Sequence, residues 1–352
     1  MILVRKSTLA VDNKTTILLS DPISIIMPVK NASPYLKDCI ISILRQTESN
    51  WELIAVDDHS TDDSFAILQS ISDQEDRIKV FSNQGEGIIP ALQTAYEKAS
   101  GQFIHRMDAD DLMPENKISL LKEKLKEVGP GNVVTGKVRY FAEEGVSDGY
   151  KKYEAWLNEL CENDRHWKSI YKECVIASPA WMLFKEDFEK CGGFNSTIYP
   201  EDYDLVFRFY KAGLQVWSVD SIVHLWRDHS ERTSRNHPNY QQNAFFKIKL
   251  HYFFQLDHDP AKKLVVWGAG PKGKIMAQRL QEMEADFVWA SNNPNKHGHD
   301  IYDKIMRSIE EIMAIEKKQI LITVAQRKAQ GQIRQYLKEK GLVQYRDYFF
   351  FR

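Results

Sequence analysis

The chain has 352 residues, 43% of them hydrophobic, which is enough for two or three domains with buried cores. Its formal net charge of −2 gives no electrostatic footprint for nucleic acid, so no nucleic-acid partner is expected. The four cysteines, Cys39, Cys161, Cys174 and Cys191, are scattered without a CxxC pair; this argues against a zinc site or a disulfide framework and fits a reducing cytoplasm. No apolar run approaches the ~20 residues that span a bilayer, and Asp12 cuts the run after Arg5 and Lys6 too short for a signal peptide.

Residues 1–21 show no period and read as an irregular lead-in. Ile23 to Met27 is a short apolar run ended by Pro28, a buried strand. Pro34 opens a helix with Leu36, Cys39, Ile40, Ile43 and Leu44 on one face. Leu53 to Val56 is the next strand; Ser60-Thr61-Asp62-Asp63 then supplies an N-cap and an acidic first turn for a helix through Ile67, Leu68 and Ile71. Ile78 to Phe81 is a third strand, followed by a helix over about residues 88–99 closed by Gly101. Phe103 to Met107 is a fourth strand running into Asp108, and Pro114 opens a helix carrying Ile118, Leu121 and Leu125. Further on, Lys151 to Tyr171 reads as helix, Trp181 to Phe184 as strand and Glu201 to Ala212 as helix ended by Gly213. Val216 to Val219 and Ile222 to Trp226 read as two short strands, and residues 238–256 as an aromatic-rich helix. Leu264 to Trp267 begins a second α/β unit after Pro260.

Strands alternating with helices imply a mostly parallel sheet covered on both faces, and ligands in such sheets bind at the carboxyl ends of the strands. Pro28 to Asn31, Asp57-Asp58 and Asp108 to Asp111 all fall at such ends. Carboxylates at i and i+2 just past a strand suit a hard divalent cation with oxygen ligands; Asp108, Asp110 and Asp111 fit this, and equally fit a solvated acidic loop ahead of Pro114. Glu201 and Asp202 at a helix start could remove a proton, or could simply offset the helix dipole.

Four segments in order resemble the family 2 inverting glycosyltransferases of the GT-A fold: Ile25 to Asn31, Val56 to Asp62, Arg106 to Asp111 and Pro200 to Leu205. The resemblance spans residues 22–235, about 60% of the chain. It implies a GT-A nucleotide-diphospho-sugar transferase domain over 22–236, a helical connector over 237–259 and a small Rossmann-like α/β domain over 260–352. It also implies roles. Pro28, Val29 and Asn31 line the nucleotide pocket, and Asp57 meets the base, a uracil N–H, with Asp58 its alternative. Asp108 lies near the ribose or diphosphate. Asp110 ligates Mn2+ or Mg2+, with Asp111 the competing choice. Asp202 is the base of an inverting transfer from a UDP-sugar, with Glu201 the alternative. Trp226-Arg227-Asp228-His229 followed by Ser234 resembles the stretch that closes the donor site, so that His229 reaches the metal or diphosphate and Arg227 steadies phosphate charge; His224 packs or bonds locally. Trp156, Glu173 and Trp181 mark the variable acceptor region, where Ser178 stands before Pro179 in place of the usual His. The acceptor is a hydroxyl of a glycan or lipid-linked molecule in bacterial polysaccharide or glycoconjugate synthesis. A lipid-linked acceptor would be met from outside the bilayer, by peripheral association at the inner face of the plasma membrane.

Gly268-Ala269-Gly270-Pro271-Lys272-Gly273 matches the G-x-G-x-x-G turn between a strand and a helix, and alone would suggest NAD. The acidic residue expected about 20 positions on is absent, since the strand Phe287 to Ala290 ends in Ser291-Asn292-Asn293. A unit this short suits a structural, regulatory or oligomerising role, a homo-oligomer included. Nucleotide retained at Gly268, Gly270 and Gly273 is the lesser reading, and close helix–strand packing would also need such a turn. An NAD-dependent sugar-modifying enzyme and a non-catalytic sugar-nucleotide-binding partner protein are the alternatives for the whole chain.

Overall fold

A computed structural model describes residues 21–232, 235 and 242–351. The expected lead-in, apart from Asp21, lies outside these residues, as do Ser234 and the start of the expected connector helix. β1 (Ile23–Val29) and β2 (Trp51–Asp57) are buried almost throughout, as apolar runs in a doubly covered parallel sheet must be. β3 (Ile78–Ser82) pairs in parallel with β2, and β4 (Phe103–Arg106) with the other side of β1. Pro28 does not end β1 but lies within it, opposite Val56. The Ile26 carbonyl faces β4, where Met107 donates to it, and the Val29 carbonyl faces β2, where Asp58 donates. Pro28 therefore turns its missing N–H toward β4, beyond the last paired residue Ile26, and no ladder bond is lost.

The crossovers depart from expectation in small ways. α1 (Ser33–Leu44) buries Leu36, Cys39, Ile40 and Ile43. Leu44 is exposed, because it sits about 80° round the helix from Leu36, at the rim of the apolar stripe. α2 (Ser64–Ser72) has no acidic first turn; Asp62 lies ahead of it, accepting from Ser64 N at 3.0 Å and from Ser33 N at 2.9 Å, and so ties the starts of α1 and α2 together. α3 (Ile88–Glu97) ends at Lys98. Gly101 is not its cap; a Cβ there would meet Ser24 N at 2.6 Å, so glycine permits the close approach of β1. α4 (Lys117–Val128) begins three residues after Pro114.

β5 (Asn132–Phe141) is followed by α5 (Asp148–Asn163). The expected helix to Tyr171 breaks at Asp164, which is left-handed at φ 49°, and resumes only as a 3-10 turn at Trp167–Ser169. β6 (Trp181–Phe184), α6 (Lys185–Lys190), α7 (Glu201–Lys211) and β7 (Gln215–Arg227) complete the first sheet. β7 is one strand, not two, with its register against β5 shifting between Val219 and Ile222. The order is β3-β2-β1-β4-β6-β5-β7. Because β6 is antiparallel to both β4 and β5, the strands β5 and β7 run with β1 to β4. Val29, Asp57, Arg106 and Arg227 thus end on one edge.

α8 (Gln242–Leu256) leads to a second, wholly parallel sheet: β8 (Lys263–Trp267), α9 (Pro271–Glu282), β9 (Phe287–Ala290), β10 (Met306–Arg307), α10 (Ile309–Met313), β11 (Lys318–Ile322), α11 (Arg327–Glu339) and β12 (Tyr348–Phe350), ordered β10-β9-β8-β11-β12. The two sheets meet around Tyr171, whose ring stacks on Phe351 at 5.0 Å and meets Phe253 edge-on. No helix among the described residues is long and apolar enough to cross a membrane.

Candidate active site

The loops after β1 and β2 are bound to each other. Asn31, left-handed at φ 48°, donates its N–H to Ser60 Oγ and accepts from Thr61 N at 2.8 Å through Oδ1. Val29 gives its carbonyl to Asp58 N, while its side chain is core, so it offers no side chain to a nucleotide pocket. The two aspartates that end β2 differ. Asp58 is engaged on both oxygens, by Asn83 at 2.6 Å and Gly87 N at 2.9 Å on Oδ1 and by Lys30 at 2.9 Å on Oδ2. Asp57 accepts from Ser60 N through Oδ2, and its buried Oδ1 has no hydrogen-bond partner among the described residues. A buried carboxylate oxygen without a donor is costly, and of the two aspartates only Asp57 has one. Asn83 carries no signal in the sequence, because its role exists only through Asp58.

The three aspartates after β4 also separate. Asp108 accepts from Arg106 Nε at 2.9 Å; burial, opposed by Arg106, raises its pKa. Asp110 faces His229 Nε2 at 2.9 Å. Burial works to raise its pKa, but the bond from His229 and the charge of Arg232 outweigh it and hold the carboxylate ionised below its ordinary range. Asp111 points the other way. It is fully buried, with Oδ1 accepting from Arg227 N at 2.7 Å and Oδ2 against His224 Nε2 at 2.9 Å; burial, then the charge of Asp110, push its pKa well up. The expectation that Asp111 competes for the metal therefore fails on orientation, and His224 bonds locally as expected. Arg227 donates from Nε to the Asp110 carbonyl at 2.8 Å and lies between the rings of Tyr35 and Phe141; among the described residues its buried Nη2 makes no hydrogen bond, with Asp38 3.8 Å away. His229 packs on Tyr35 at 4.6 Å, and its Nδ1 is buried without a partner among the described residues.

No cluster of three or more metal-ligating side chains occurs among the described residues. Asp110 and His229 alone form a two-donor set. Two protein donors fit Mg2+ or Mn2+, which keep waters and take their remaining oxygens from phosphates.

α7 begins after Pro200, with Glu201, Asp202 and Asp204 in its first turn. Glu201 is nearly buried and pairs with Arg106 Nη1 at 3.0 Å. Arg106 thereby holds Asp108 and Glu201 together, a bridge that is invisible in the sequence although Arg106 lies inside one of the four motifs. Asp202 is raised to about 7 by burial and then by the charge of Glu201. The expected acceptor landmarks fare poorly. Trp181 is 1% exposed and packs on Phe188 and Phe209; Trp156 is 7% exposed and stacks on Tyr153. Both are core, since a strand at mid-sheet and the buried face of α5 leave no surface for a sugar. Glu173 is half-buried and accepts from Cys174 N.

In the C-terminal turn Gly268 and Gly273 sit where a side chain would clash. A Cβ on Gly273 would lie 1.9 Å from the Gly268 carbonyl, and Gly268, at φ 134°, would meet Thr323 Oγ1 at 2.5 Å. Gly270 faces open space, with nothing within 4 Å of a Cβ. Asn292, near where a ribose-binding acid would stand, accepts from Trp267 Nε1 at 2.6 Å.

A mostly parallel sheet with acidic loops at the carboxyl ends of β2 and β4 and an acidic helix start beside them is the layout of the GT-A glycosyltransferases, and solved structures agree on the fold. TarS of Staphylococcus aureus, in complex with UDP-GlcNAc, superposes with TM-score 0.53 at 17% identity, over 74% of this chain and 71% of that one. A mannosyltransferase of Pyrobaculum calidifontis, PcManGT, in complex with GDP-Man and Mn2+, gives 0.50 at 17% identity, over 73% and 69%. In sequence, the glycosyltransferase GlyG of Streptococcus pneumoniae is 26% identical over 220 residues, 60% of this chain and 72% of GlyG. Residues 24–192 match the model of the family described as glycosyl transferase family 2. That segment belongs to the family, and the protein is a glycosyltransferase.

Proposed function

We propose that this glycosyltransferase moves a sugar from a UDP-sugar to a hydroxyl of a glycan or lipid-linked acceptor, with inversion and with a divalent cation, in bacterial polysaccharide or glycoconjugate synthesis. The observation that carries the reading is the Arg106 bridge: one buried guanidinium joins Asp108, on the donor loop, to Glu201, next to the raised carboxyl of Asp202. Donor groups and a base are thus held at one sheet edge.

Each residue has its own part in the transfer. Asp57 Oδ1 accepts the uracil N–H, and Arg227 Nη2 donates to a phosphate oxygen, each satisfying an atom that has no hydrogen-bond partner among the described residues. Asp110 and His229 hold Mn2+ or Mg2+. When bound, that cation offsets the charge that builds on the leaving diphosphate. Asp202 takes the proton of the acceptor hydroxyl as that oxygen attacks the anomeric carbon; the bond from that carbon to the nucleotide breaks on the opposite face and UDP departs. A carboxyl near 7 is matched to this role at neutral pH, where one near 4 would be a weak base. The UDP-GlcNAc bound to TarS and the Mn2+ bound to PcManGT support the choice of nucleotide and metal. For the C-terminal sheet, the packed glycine turn and the engaged Asn292 favour a structural or assembly role over NAD chemistry.

A hydrolysis screen of UDP-, GDP- and dTDP-sugars with Mn2+ tests the donor. Turnover is expected with a UDP-sugar and is expected to fall at least ~100-fold in both Asp110→Ala and Asp202→Asn, with UDP binding weakened mainly in the first. Undiminished turnover in both variants would overturn the assignment.

A further inference from the structure

Beneath the donor loop lies a row of ionisable side chains that the transfer chemistry does not use. Asp111, His224 and Lys117 are each 0% exposed. Asp111 Oδ2 faces His224 Nε2 at 2.9 Å, His224 Nδ1 faces Lys117 Nζ at 3.1 Å, and Lys117 Nζ donates to the Pro179 carbonyl at 2.6 Å. The row joins four separate segments: the acidic loop, the first residue of α4, the end of β7 and the turn before β6. Taking such groups out of water carries a large penalty, and apolar residues of the same volume often pack in such places at no loss of stability. Holding the fold together is therefore a poor reason for the row.

Its free end shows a better one. The Asp111 oxygen not facing His224 accepts from the backbone N–H of Arg227, whose Nε donates to the Asp110 carbonyl, and two residues later His229 meets the Asp110 carboxylate. Leu112 and Leu225 exchange backbone hydrogen bonds beside it. The carboxylate of Asp111 is thus the point at which the end of β7 is registered against the acidic loop. We propose that Asp111, His224 and Lys117 are positioning residues that set the Asp110–His229 pair and the Arg227 guanidinium for the donor diphosphate and its cation. This rests on the donor-site reading given above. Directional hydrogen bonds suit such positioning, because they hold an angle as well as a distance, which a methyl-lined core does not. A donor site needs its groups within a fraction of an ångström.

The test is calorimetric titration of Mn2+ into the full-length protein with UDP present, beside kcat and KM for donor hydrolysis. His224→Leu is expected to weaken Mn2+ binding at least tenfold and to lower kcat/KM in step. His224→Gln, which keeps a side-chain amide able to hydrogen-bond Asp111 as donor or acceptor, should recover most of both. Lys117→Met should move the same way and serves if His224→Leu does not fold. Leu337→Ala, in the core of the distant second sheet, should lower the Tm and leave Mn2+ affinity unchanged. Wild-type Mn2+ affinity and kcat/KM in folded His224→Leu or Lys117→Met would overturn the proposal. Asp110→Ala, run in parallel, separates the two readings. If it loses Mn2+ while His224→Leu keeps it, only the positioning role falls; if it keeps wild-type affinity, the donor-site reading fails and the positioning role with it.

Discussion

Neighbouring carboxylates in this protein are driven apart by what surrounds them. Asp110 is held ionised by His229 and Arg232 against the effect of burial, while burial and the charge of Asp110 push Asp111 far up. Glu201 is paired with Arg106, while Asp202, one residue on, is raised to about 7 by burial and by Glu201. Only the ionised form of Asp202 can take a proton. The expected pH profile of kcat/KM therefore rises about tenfold per unit at low pH, bends near 7 and is flat above, with Asp202 as the bending group. Glu201→Gln removes the second-largest cause after burial and leaves Arg106 with one carboxylate partner fewer, so the bend should move to lower pH; a bend that stays put would show that Glu201 does not set it. Stability runs in the opposite sense. The folded pKa lies above the unfolded one, so the stabilisation is fully present below the ordinary aspartate value of 3.8 and is lost as pH rises through about 7. Asp202→Asn should therefore be more stable than the wild type at pH 8, by up to about 4 kcal/mol, with the gap closing toward pH 4. Melting curves across pH would check it, and a gap independent of pH would contradict it.

The elements that carry the site follow from local pattern, but the directions of the side chains do not. The first four strands are readable as apolar runs, and the edge they share follows from their parallel order. Asp108, Asp110 and Asp111 look alike in sequence; what turns Asp111 inward is His224, 113 residues away, on a strand that local pattern breaks in two. Arg106 shows no role in the sequence for the same reason, since one of its partners is 95 residues off. Trp156 and Trp181 are expected at a sugar because aromatic faces suit sugars, but such rings fill cores equally well, and both lie in this one. The glycine turn after β8 fits both a phosphate cradle and a packing turn, and substitution tells them apart. Gly273→Ala would drive a methyl into the Gly268 carbonyl, 1.9 Å away, and should destabilise by about 3 kcal/mol or more. Gly270→Ala meets nothing and has an ordinary φ of −81°, so it should leave the Tm within about a degree. Denaturant titration of the two variants is the measurement, and equal losses would argue against packing as the reason for the motif.

Across the whole molecule, the second sheet is joined to the first by shared core. The apolar cluster that holds Ile25, Val56 and Trp181 continues without a break into Val266, Leu280, Trp289 and Phe349. Tyr171 stands at the junction: its ring stacks on Phe351 and meets Phe349 and Phe253 edge-on, and its hydroxyl donates to Asp257. Asp257 is fixed in turn from the second sheet, where the Gln319 amide donates to its carbonyl and to that of Arg346. Such continuity argues that the two sheets unfold together, because separating them would expose Tyr171, Phe253, Phe349 and Phe351 at once. Calorimetry of the full chain is then expected to show one transition, and UDP with Mn2+ should raise the whole of it, since a ligand stabilises the entire unit that must unfold to release it. Tyr171→Ala removes a large ring from the junction and should destabilise that single transition by about 3 kcal/mol. The opposite result, two transitions of which UDP moves only one, would mean that the second sheet is an independent module whose contact with the first is incidental to its stability.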